Sequence, residues 1–277
     1  MLSLKRQITK STFEVILVFD GIAQDVNKIA TLIKKTDLPN VRLIINELGG
    51  ISNGRNKGID LSRGEIIIFI DDDVILLPDF VENHTKFHTR NKQSIGVGNK
   101  FQLILSTKDE KKRARYIVAV MYGIEKYNDR VYEDRYNRAT RKVFFDDKYK
   151  HQRWYAVVGR NMSMPKALFA DKQWFDINFK GWGCEDSEFA YRMSKENINI
   201  GYIAEAINIH IDHPVSGNNL ENLNRNIYYF ESKYPEDIEV ALFRLFTFFG
   251  MSFDEILAIQ TLHQNYKSNY SYKIFKH

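Results

Sequence analysis

The sequence predicts an α/β fold, a three-layer sandwich with a C-terminal helical appendage. Short β-rich apolar runs alternate with amphipathic stretches in the N-terminal part of the chain, and this alternation is typical of a sheet covered by helices. The chain has 277 residues, of which 44% are hydrophobic and 27% charged. This length and composition fit one large domain, or one domain with a small appendage, and exclude a disordered chain.

The N-terminal elements follow one another as strand, helix, strand, helix and strand. Residues 13–19 form a β-rich apolar run that ends at Asp20 and Gly21, which predicts a buried strand and a turn. The further elements are expected as a helix at 25–35, a strand at 41–45, a helix at 53–61 and a strand at 65–70. The last of these strands is apolar on both faces, which predicts a central position in a parallel sheet.

The C-terminal part alternates less regularly. A helix rich in His and Lys is expected after Asp79, and a long polar and aromatic segment covers about 108–150. The other predicted elements are strands at 95–105, 154–158 and 198–203 and a helix at 187–196. The composition changes past Pro214, so we expect a main domain over 1–214 and a helical extension over 215–277.

The extension contains a strongly apolar stretch at 240–249. Three interpretations are open: it forms the core of the extension, it contacts a second copy of the chain, or it touches a membrane surface. The longest purely apolar run of the chain, residues 66–70, is far shorter than the roughly 20 residues of a membrane span. We therefore expect a protein that does not cross the membrane and is at most peripheral to it.

Charge and cysteine content exclude several further classes. The formal net charge is +5, from 40 Lys and Arg against 35 Asp and Glu, which is too mild a bias for a nucleic-acid partner. Basic clusters at 108–115 and 135–142 fit either a solvated helix face or a surface for an anionic acceptor or membrane. A single cysteine, Cys184, excludes an internal disulfide framework and a cysteine-rich zinc site. The first residues lack an apolar secretory signal, so we expect a cytoplasmic location.

The first chemical motif is a run of three carboxylates, Asp71, Asp72 and Asp73, at the end of the apolar strand. Adjacent carboxylates raise one another's pKa unless a cation neutralises them. A divalent metal is the simplest cation for this position, and oxygen ligands suit Mg²⁺ or Mn²⁺, which would in turn hold a diphosphate.

The second motif is Gly181-Trp182-Gly183 followed by Cys184, Glu185 and Asp186 at the predicted start of a helix. The glycines allow a sharp turn that presents the indole, and the helix dipole keeps nearby acids ionised and able to act as a base. An indole beside a carboxylate also suits a sugar. The alternative is a helix N-terminus beside a buried Trp.

Two weaker motifs complete the set. His210 and His213 lie three residues apart after a strand-like stretch, and one of them is a candidate for the metal shell. Residues 49–58 are rich in glycine and carry Arg55 and Lys57 ahead of a helix, which suits a phosphate or nucleotide. That segment matches neither of the common nucleotide-binding glycine patterns.

Taken in order, these motifs resemble those of the family 2 glycosyltransferases of the GT-A fold. The matching segments are residues 13–21, 52–58, 70–74, 158–165 and 179–192. The last segment is most similar to the bacterial chondroitin-polymerase type and to the C-terminal motif of galactosyltransferases. The resemblance covers about residues 1–214, with a nucleotide-sugar half over about 1–100 and an acceptor half over 101–214. It implies transfer of a sugar from a nucleotide donor, usually a UDP-sugar, with Mn²⁺ or Mg²⁺ as cofactor.

On the donor side, the resemblance assigns roles residue by residue. It makes Asp20 a contact for the nucleotide base and Arg55 a contact near the nucleoside or phosphate. Asp71 and Asp73 become the paired metal-site carboxylates, with Asp73 the more direct metal ligand and Asp71 partly engaged with ribose. Asp72 is placed beside them on the nucleotide-sugar.

On the acceptor side, the resemblance makes Asp186 the general base that deprotonates the hydroxyl of a saccharide or glycoconjugate acceptor. Glu185 and Trp182 are expected to help bind the acceptor or donor sugar. His210 is the expected later metal ligand, with His213 as the alternative. In-line attack on the donor would invert the anomeric centre.

One departure from the family pattern concerns the N-terminus. Family members begin with a strand and turn that pack under the base, followed by a helix, and residues 2–7 resemble only the end of that helix. We therefore expect the first strand to be absent, which would expose unpaired backbone and part of the base pocket.

Two other hypotheses for the function are open. The chain could be a degenerate relative that acts as a binding or scaffold subunit, or a phosphatase with Asp71 as nucleophile and Asp73 as acid.

Overall fold

The computed structural model describes residues 1–20, 23–123, 129–169, 174–213 and 217–269. The strands in this part of the chain are β1 (Val15–Phe19), β2 (Val41–Ile45), β3 (Ile66–Ile70), β4 (Val74–Leu76), β5 (Ser94–Leu103), β6 (Val131–Tyr132), β7 (Asn161–Pro165) and β8 (Asn199–Ile211). The α-helices are α1 (Leu2–Lys5), α2 (Ala23–Thr36), α3 (Ile51–Leu61), α4 (Phe80–Arg90), α5 (Glu110–Met121), α6 (Arg135–Arg141), α7 (Glu185–Lys195), α8 (Asn219–Lys233), α9 (Ile238–Phe249) and α10 (Phe253–Asn269).

The strands form two sheets. β1 and β2 pair in parallel as a two-stranded sheet. The other strands form a mixed sheet in the order β3-β7-β5-β8-β4, in which β5 and β8 are parallel and the remaining neighbours antiparallel, and β6 adds to β5. The large sheet brings the ends of β3, β4, β5 and β8 to one side of the molecule, where the candidate site lies.

The predicted central position of the 65–70 strand is wrong. β3 lies at the end of the large sheet and pairs only with β7, in antiparallel orientation, among the described strands. The parallel neighbours that the apolar run suggested, β1 and β2, pair with each other instead. Four of the five residues of β3 are consequently only half-buried, although all five are apolar.

Alternating side chains of β3 enter two layers on opposite faces of the sheet, as expected for a strand. Phe69 belongs to the main core, which also contains side chains from α7, α8 and α9. Ile68 and Ile70 pack instead against a second cluster that contains Phe80 and Val81 of α4 and Leu4 of α1. The predicted three-layer α/β sandwich is therefore confirmed, and α1 lies in the cluster that joins both sheets.

A second prediction fails at 154–158. The segment Asp147–Ala156 is a 3₁₀ helix and not a strand. Trp154 and Tyr155 are fully buried, and their rings contact Phe243 of α9 at centroid distances of 5.0 and 5.2 Å. An apolar run of this length fits a buried helical turn as well as a strand, and here aromatic packing decides in favour of the turn.

The C-terminal extension packs against the main domain. Val240, Leu242, Phe243 and Phe246 of α9 are buried in the same core as Trp154, whereas Phe249 is exposed. Of the three interpretations of 240–249, packing within the chain's own core is the one that the structure bears out, and nothing in it supports a copy or a membrane contact. In the described part of the chain, no helix combines the length and apolarity that crossing a membrane requires.

The other predicted elements are recovered with shifted ends. α3 begins two residues earlier than expected, and β8 continues through His210 to Ile211. The predicted turn residue Gly21, the domain boundary at 214–215 and the last residues of the extension, 270–277, lie outside the described residues.

Candidate functional site

Asp20 joins the ends of the small sheet to the helix that follows. Its Oδ1 accepts a hydrogen bond from Asn46 Nδ2 at 3.1 Å, and its Oδ2 accepts one from the Gly50 N–H at 2.8 Å. Gly50 is the residue before α3 and has φ +90°, a conformation that favours glycine. The exposed Asp20 side chain therefore fixes the turn that precedes Arg55.

A carboxylate and two imidazoles converge where β3 and β4 meet the end of β8. Asp73 Oδ2 lies 3.1 Å from His210 Nε2 and 3.0 Å from His213 Nε2. One possible ligand atom from each of these three residues lies within 4.8 Å of the other two. Asp71 lies outside this group, which shares Asp73 and His210 with the predicted set of Asp71, Asp73 and His210 and adds His213.

The tautomer of His210 follows from its other neighbour. Asp134 Oδ2 accepts a hydrogen bond from Gln102 Nε2 at 2.7 Å, which directs Gln102 Oε1 towards His210 Nδ1 at 2.7 Å. Because an amide oxygen only accepts, Nδ1 carries a proton, and Nε2 faces Asp73 Oδ2 as a lone pair in the neutral ring and as a donor in the charged ring. Such a fixed ring orientation is typical of metal-ligating histidines.

The contacts of Asp73 fit a bound cation. Asp73 Oδ1 is buried and has no hydrogen-bond partner in the described part of the chain. Burial alone would raise the pKa of Asp73, but the hydrogen bond and charge of His210 and the charge of His213 hold it below its usual range. A neutral His210 would place two acceptors, Asp73 Oδ2 and its own Nε2, in contact, and a metal ion between them satisfies both. Mixed nitrogen and oxygen ligands suit Mn²⁺ better than Mg²⁺.

Arg55 connects the strand end to α7. Its Nη1 lies 2.6 Å from Glu185 Oε1, and its Nη2 lies 3.9 Å from Asp71 Oδ1. Burial lowers the pKa of Arg55, but Glu185, Asp186 and Asp71 outweigh that effect and leave it raised. A Cβ on Gly159 would come within 2.1 Å of Arg55 Nη2, so the guanidinium occupies the space that only a glycine leaves free.

Of the three adjacent acids, Asp71 has a pKa that burial raises above its usual range, although Arg55 opposes that rise. Asp72, by contrast, is exposed. The three carboxylates thus face three environments: Asp71 turns to Arg55, Asp72 to the surface and Asp73 to the histidines.

Asp186 is held at the start of α7 by backbone donors. Its Oδ2 accepts a hydrogen bond from the Gly159 N–H at 2.8 Å, and its Oδ1 accepts one from the Ser187 N–H at 2.8 Å. The side chain is half-buried and lies in the first turn of α7, where the helix dipole favours an ionised acid. Oδ1 also accepts a hydrogen bond from the Ser187 hydroxyl at 3.5 Å, so Oδ2 is the oxygen with a lone pair for a substrate hydroxyl.

Glu185 lies beneath Asp186. It is 4% exposed, and its Oε2 is buried without a hydrogen-bond partner among the described residues. Burial, together with the charge of Asp186, raises the pKa of Glu185 to about 7, against the opposing effect of Arg55. Its ion pair with Arg55 makes it a support for the site, whereas Asp186 is the acid that a substrate can reach.

The loop before α7 presents Trp182, which is 49% exposed. Gly181, Gly183 and Cys184 all have positive φ, so the chain turns sharply on both sides of the indole. Cys184 lies just before the first residue of α7, and burial raises the pKa of its thiol, which makes the thiol unreactive.

The structure also supplies residues that the sequence did not reveal. Gln102, Asp134 and Arg160 extend the polar chain behind His210, with Arg160 Nη2 3.5 Å from Asp134 Oδ2. Gln102 pairs with His210 in the register of β5 and β8. No local pattern announces such a pair, but Arg160 lies within the 158–165 segment that the sequence analysis had already singled out.

Two family descriptions match the chain. Residues 1–156 match the family described as "Glycosyl transferase family 2". Residues 139–214 match "N-terminal domain of galactosyltransferase". The first match covers more than half of the chain, and the two together include Asp73, both histidines beside it and the start of α7.

Individual proteins are similar over most of the chain. An uncharacterized glycosyltransferase, YfnE, from Bacillus subtilis (strain 168) is 24% identical over 259 residues, which are 84% of this chain and 66% of YfnE. Validoxylamine A glucosyltransferase from Streptomyces hygroscopicus subsp. jinggangensis (strain 5008) is 24% identical over 260 residues, 84% of this chain and 56% of that protein. This chain therefore spans between about half and two thirds of the length of these relatives.

A solved structure shares the fold. GalNAc-T7, crystallised with UDP, GalNAc and Mn²⁺, superimposes with a TM-score of 0.52 at 14% identity, covering 93% of this chain and 52% of that one. At this identity the likeness concerns the fold alone, and it confirms the predicted GT-A architecture.

Proposed function

The chain belongs to glycosyl transferase family 2 and is a glycosyltransferase, and on that premise we propose a metal-dependent, inverting transfer from a UDP-sugar to a saccharide or glycoconjugate hydroxyl. One observation carries this proposal: Asp73, His210 and His213 converge on one point, with an unpartnered buried oxygen on Asp73. The galactosyltransferase match over 139–214 and the UDP and Mn²⁺ of GalNAc-T7 support the same donor class. The chondroitin-polymerase-like subtype stays a prediction.

Asp73, His210 and His213 would hold the metal. When bound, Mn²⁺ supplies a Lewis acid that neutralises the charge developing on the departing diphosphate. We propose that Asp20, Asp71 and Asp72 line the nucleotide side. We assign Arg55 to holding Glu185 and Asp71 in place, because its guanidinium is already paired with Glu185 at 2.6 Å.

Asp186 is the proposed general base. As the acceptor hydroxyl oxygen attacks the anomeric carbon, the hydroxyl proton passes to a carboxylate oxygen of Asp186, and the bond from the anomeric carbon to the diphosphate oxygen breaks. Attack opposite to the leaving group inverts the anomeric centre. The two backbone N–H groups on Asp186 fix its orientation before the transfer.

UDP binding by calorimetry tests the donor half of the proposal. The native chain is expected to bind UDP tightly only with Mn²⁺, and Asp73→Asn is expected to lose about 100-fold or more of that metal-dependent affinity. Asp79→Asn, an exposed acid before α4, removes the same charge and serves as the control. Metal-independent UDP binding, or an equal loss in both variants, would contradict the metal assignment.

Transfer measurements test the acceptor half. Asp186→Asn is expected to lower kcat by about 100- to 10,000-fold, the usual contribution of a general base, while UDP binding stays within about twofold. UDP release in the presence of a panel of saccharide acceptors measures kcat, and calorimetry measures UDP binding. A native chain that binds UDP and Mn²⁺ but neither transfers nor hydrolyses the donor would favour the scaffold hypothesis instead.

A further inference from the structure

The Trp182 loop, residues 180–184, rests on α8 of the C-terminal extension. Asn226, which is 1% exposed, holds the backbone of this loop from both directions. Its Nδ2 lies 2.8 Å from Gly183 O, 3.1 Å from Lys180 O and 3.3 Å from Trp182 O. Its Oδ1 accepts a hydrogen bond from the Lys180 N–H at 3.3 Å. One side-chain amide therefore binds backbone carbonyls on both sides of the Trp182 indole.

The glycines on either side of Trp182 allow this close contact. A Cβ on Gly181 would lie 2.6 Å from the side-chain amide of Asn222, and a Cβ on Gly183 would lie 2.9 Å from Leu223 Cδ1. Both glycines also have positive φ, at +72° and +101°. The loop is thus shaped to fit one face of α8, and any side chain at either position would push the loop and helix apart.

α8 is itself fixed to the helix that carries Asp186. Lys233 Nζ, at the end of α8, lies 2.7 Å from Glu188 Oε1 of α7, and Tyr234 donates to the same oxygen at 2.9 Å. Ile227 and Phe230 of α8 are buried in the main core. The C-terminal extension therefore contacts both the Trp182 loop and α7, which carries Asp186.

On the basis of the proposed function, we propose that Asn226 is a positioning residue for acceptor binding. It seats the Trp182 loop on α8 so that the half-exposed indole forms the wall against which the acceptor sugar stacks while its hydroxyl meets Asp186. The C-terminal extension thereby takes part in acceptor recognition, although its own side chains need not touch the reacting atoms.

Steady-state kinetics of Asn226→Ala against Asn224→Ala test the proposal. Asn224 lies on the exposed face of the same helix, so its replacement controls for the composition and helix propensity of α8. Asn226→Ala is expected to raise the acceptor KM by about tenfold or more, because small displacements of a positioning group are costly, with UDP affinity within about twofold. An acceptor KM equal to that of Asn224→Ala, or a rise confined to the donor KM, would overturn it.

Acrylamide quenching of tryptophan fluorescence gives a readout that needs no substrate. Asn226→Ala is expected to change the quenching of Trp182, and Trp182→Phe in the same background should abolish that change. Arg225→Ala is a milder second variant, because the exposed Arg225 donates to Lys180 O from outside the core. It should shift quenching in the same direction by a smaller amount, whether or not Asn226→Ala folds.

The two measurements separate this inference from the function on which it rests. A native chain that fails to bind UDP with Mn²⁺ contradicts the proposed function alone, while a quenching change still shows that Asn226 and Arg225 hold the loop. Unaltered quenching in both variants contradicts the positioning role, even if the native chain transfers sugar.

Discussion

Two pairs of histidines in this molecule each converge on a single oxygen. His210 and His213 lie 3.1 and 3.0 Å from Asp73 Oδ2. His84 and His88 of α4 each place a ring nitrogen 2.8 Å from Ser163 Oγ of β7. The geometry is nearly the same, so the chemistry of each pair must depend on its surroundings.

The Ser163 pair is buried and supplied with protons. The amide of Asn161 donates to two backbone carbonyls, so its Oδ1 accepts from His84 Nε2 at 3.0 Å. His84 Nδ1 therefore accepts from the Ser163 hydroxyl, and Ser163 Oγ accepts from His88 Nε2. The Asp73 pair has no such order, because a carboxylate only accepts and each ring nitrogen that faces it needs a proton or a metal ion. We infer that a hydroxyl between two neutral rings makes a structural network, whereas a carboxylate between them makes a cation site.

Acid should lower the free energy of unfolding through the Ser163 network, and this is the largest effect that we expect. Burial lowers the pKa of His84 to about 3 and that of His88 to about 4. Below pH 6.5 the unfolded chain takes up protons on both rings and the folded chain does not, so stability is complete above pH 6.5 and declines as the pH falls towards 4. The two rings together should cost roughly 4 kcal/mol of unfolding free energy between pH 7 and pH 5.

Urea unfolding at pH 7 and pH 5 measures this loss. His88→Gln keeps a donor for Ser163 but cannot titrate, so it should reduce the pH slope by about 1.4 kcal/mol per unit. His151→Gln replaces an exposed histidine and serves as the control. A His88→Gln slope equal to that of the native chain would show that His88 is protonated in the folded state.

Sequence spacing alone would favour His84 and His88, and not His210 and His213, as the metal-binding pair. His84 and His88 have the i, i+4 spacing that places two side chains on one helix face, which is the more familiar metal-binding pattern. His210 and His213 become a pair only because β8 runs on to Ile211 beside β4. Burial and strand register separate the two cases, and neither can be derived from spacing alone.

The same limit explains which other features were predictable. Strand and helix positions followed from local periodicity, and Asp73, Asp186 and His210 could be singled out as residues. The end position of β3 could not, because an apolar run records burial and not the number of paired neighbours. Gln102 and Asn226 were also out of reach, since each acts through a contact more than 40 residues away in sequence.

Removing the shared oxygen of the buried pair is the next largest test. Ser163→Ala leaves His84 Nδ1 and His88 Nε2 without their partner, which should cost about 3 kcal/mol of unfolding free energy. Metal-dependent UDP binding should be unchanged, because the side-chain partners of Ser163 are His84 and His88 and not Asp73 or its histidines. Urea unfolding and calorimetry on one preparation measure both. A loss of metal dependence without a loss of stability would mean that the two histidine pairs are coupled.

Separating the two histidines beside Asp73 is the finest test of the comparison. His210→Ala is expected to weaken Mn²⁺ affinity by about 10- to 100-fold, because Gln102 has already oriented its Nε2 lone pair towards Asp73. His213→Ala should have a smaller effect, since His213 is 49% exposed against 20% for His210 and has more freedom to lose on binding. Titration of Mn²⁺ into each variant, followed by water proton relaxation, ranks them. Gln102→Leu adds a further step, because it removes the acceptor for Nδ1 and should reduce affinity towards that of His210→Ala. If His213→Ala were the weaker binder, the orienting chain from Asp134 through Gln102 would have no part in holding the metal.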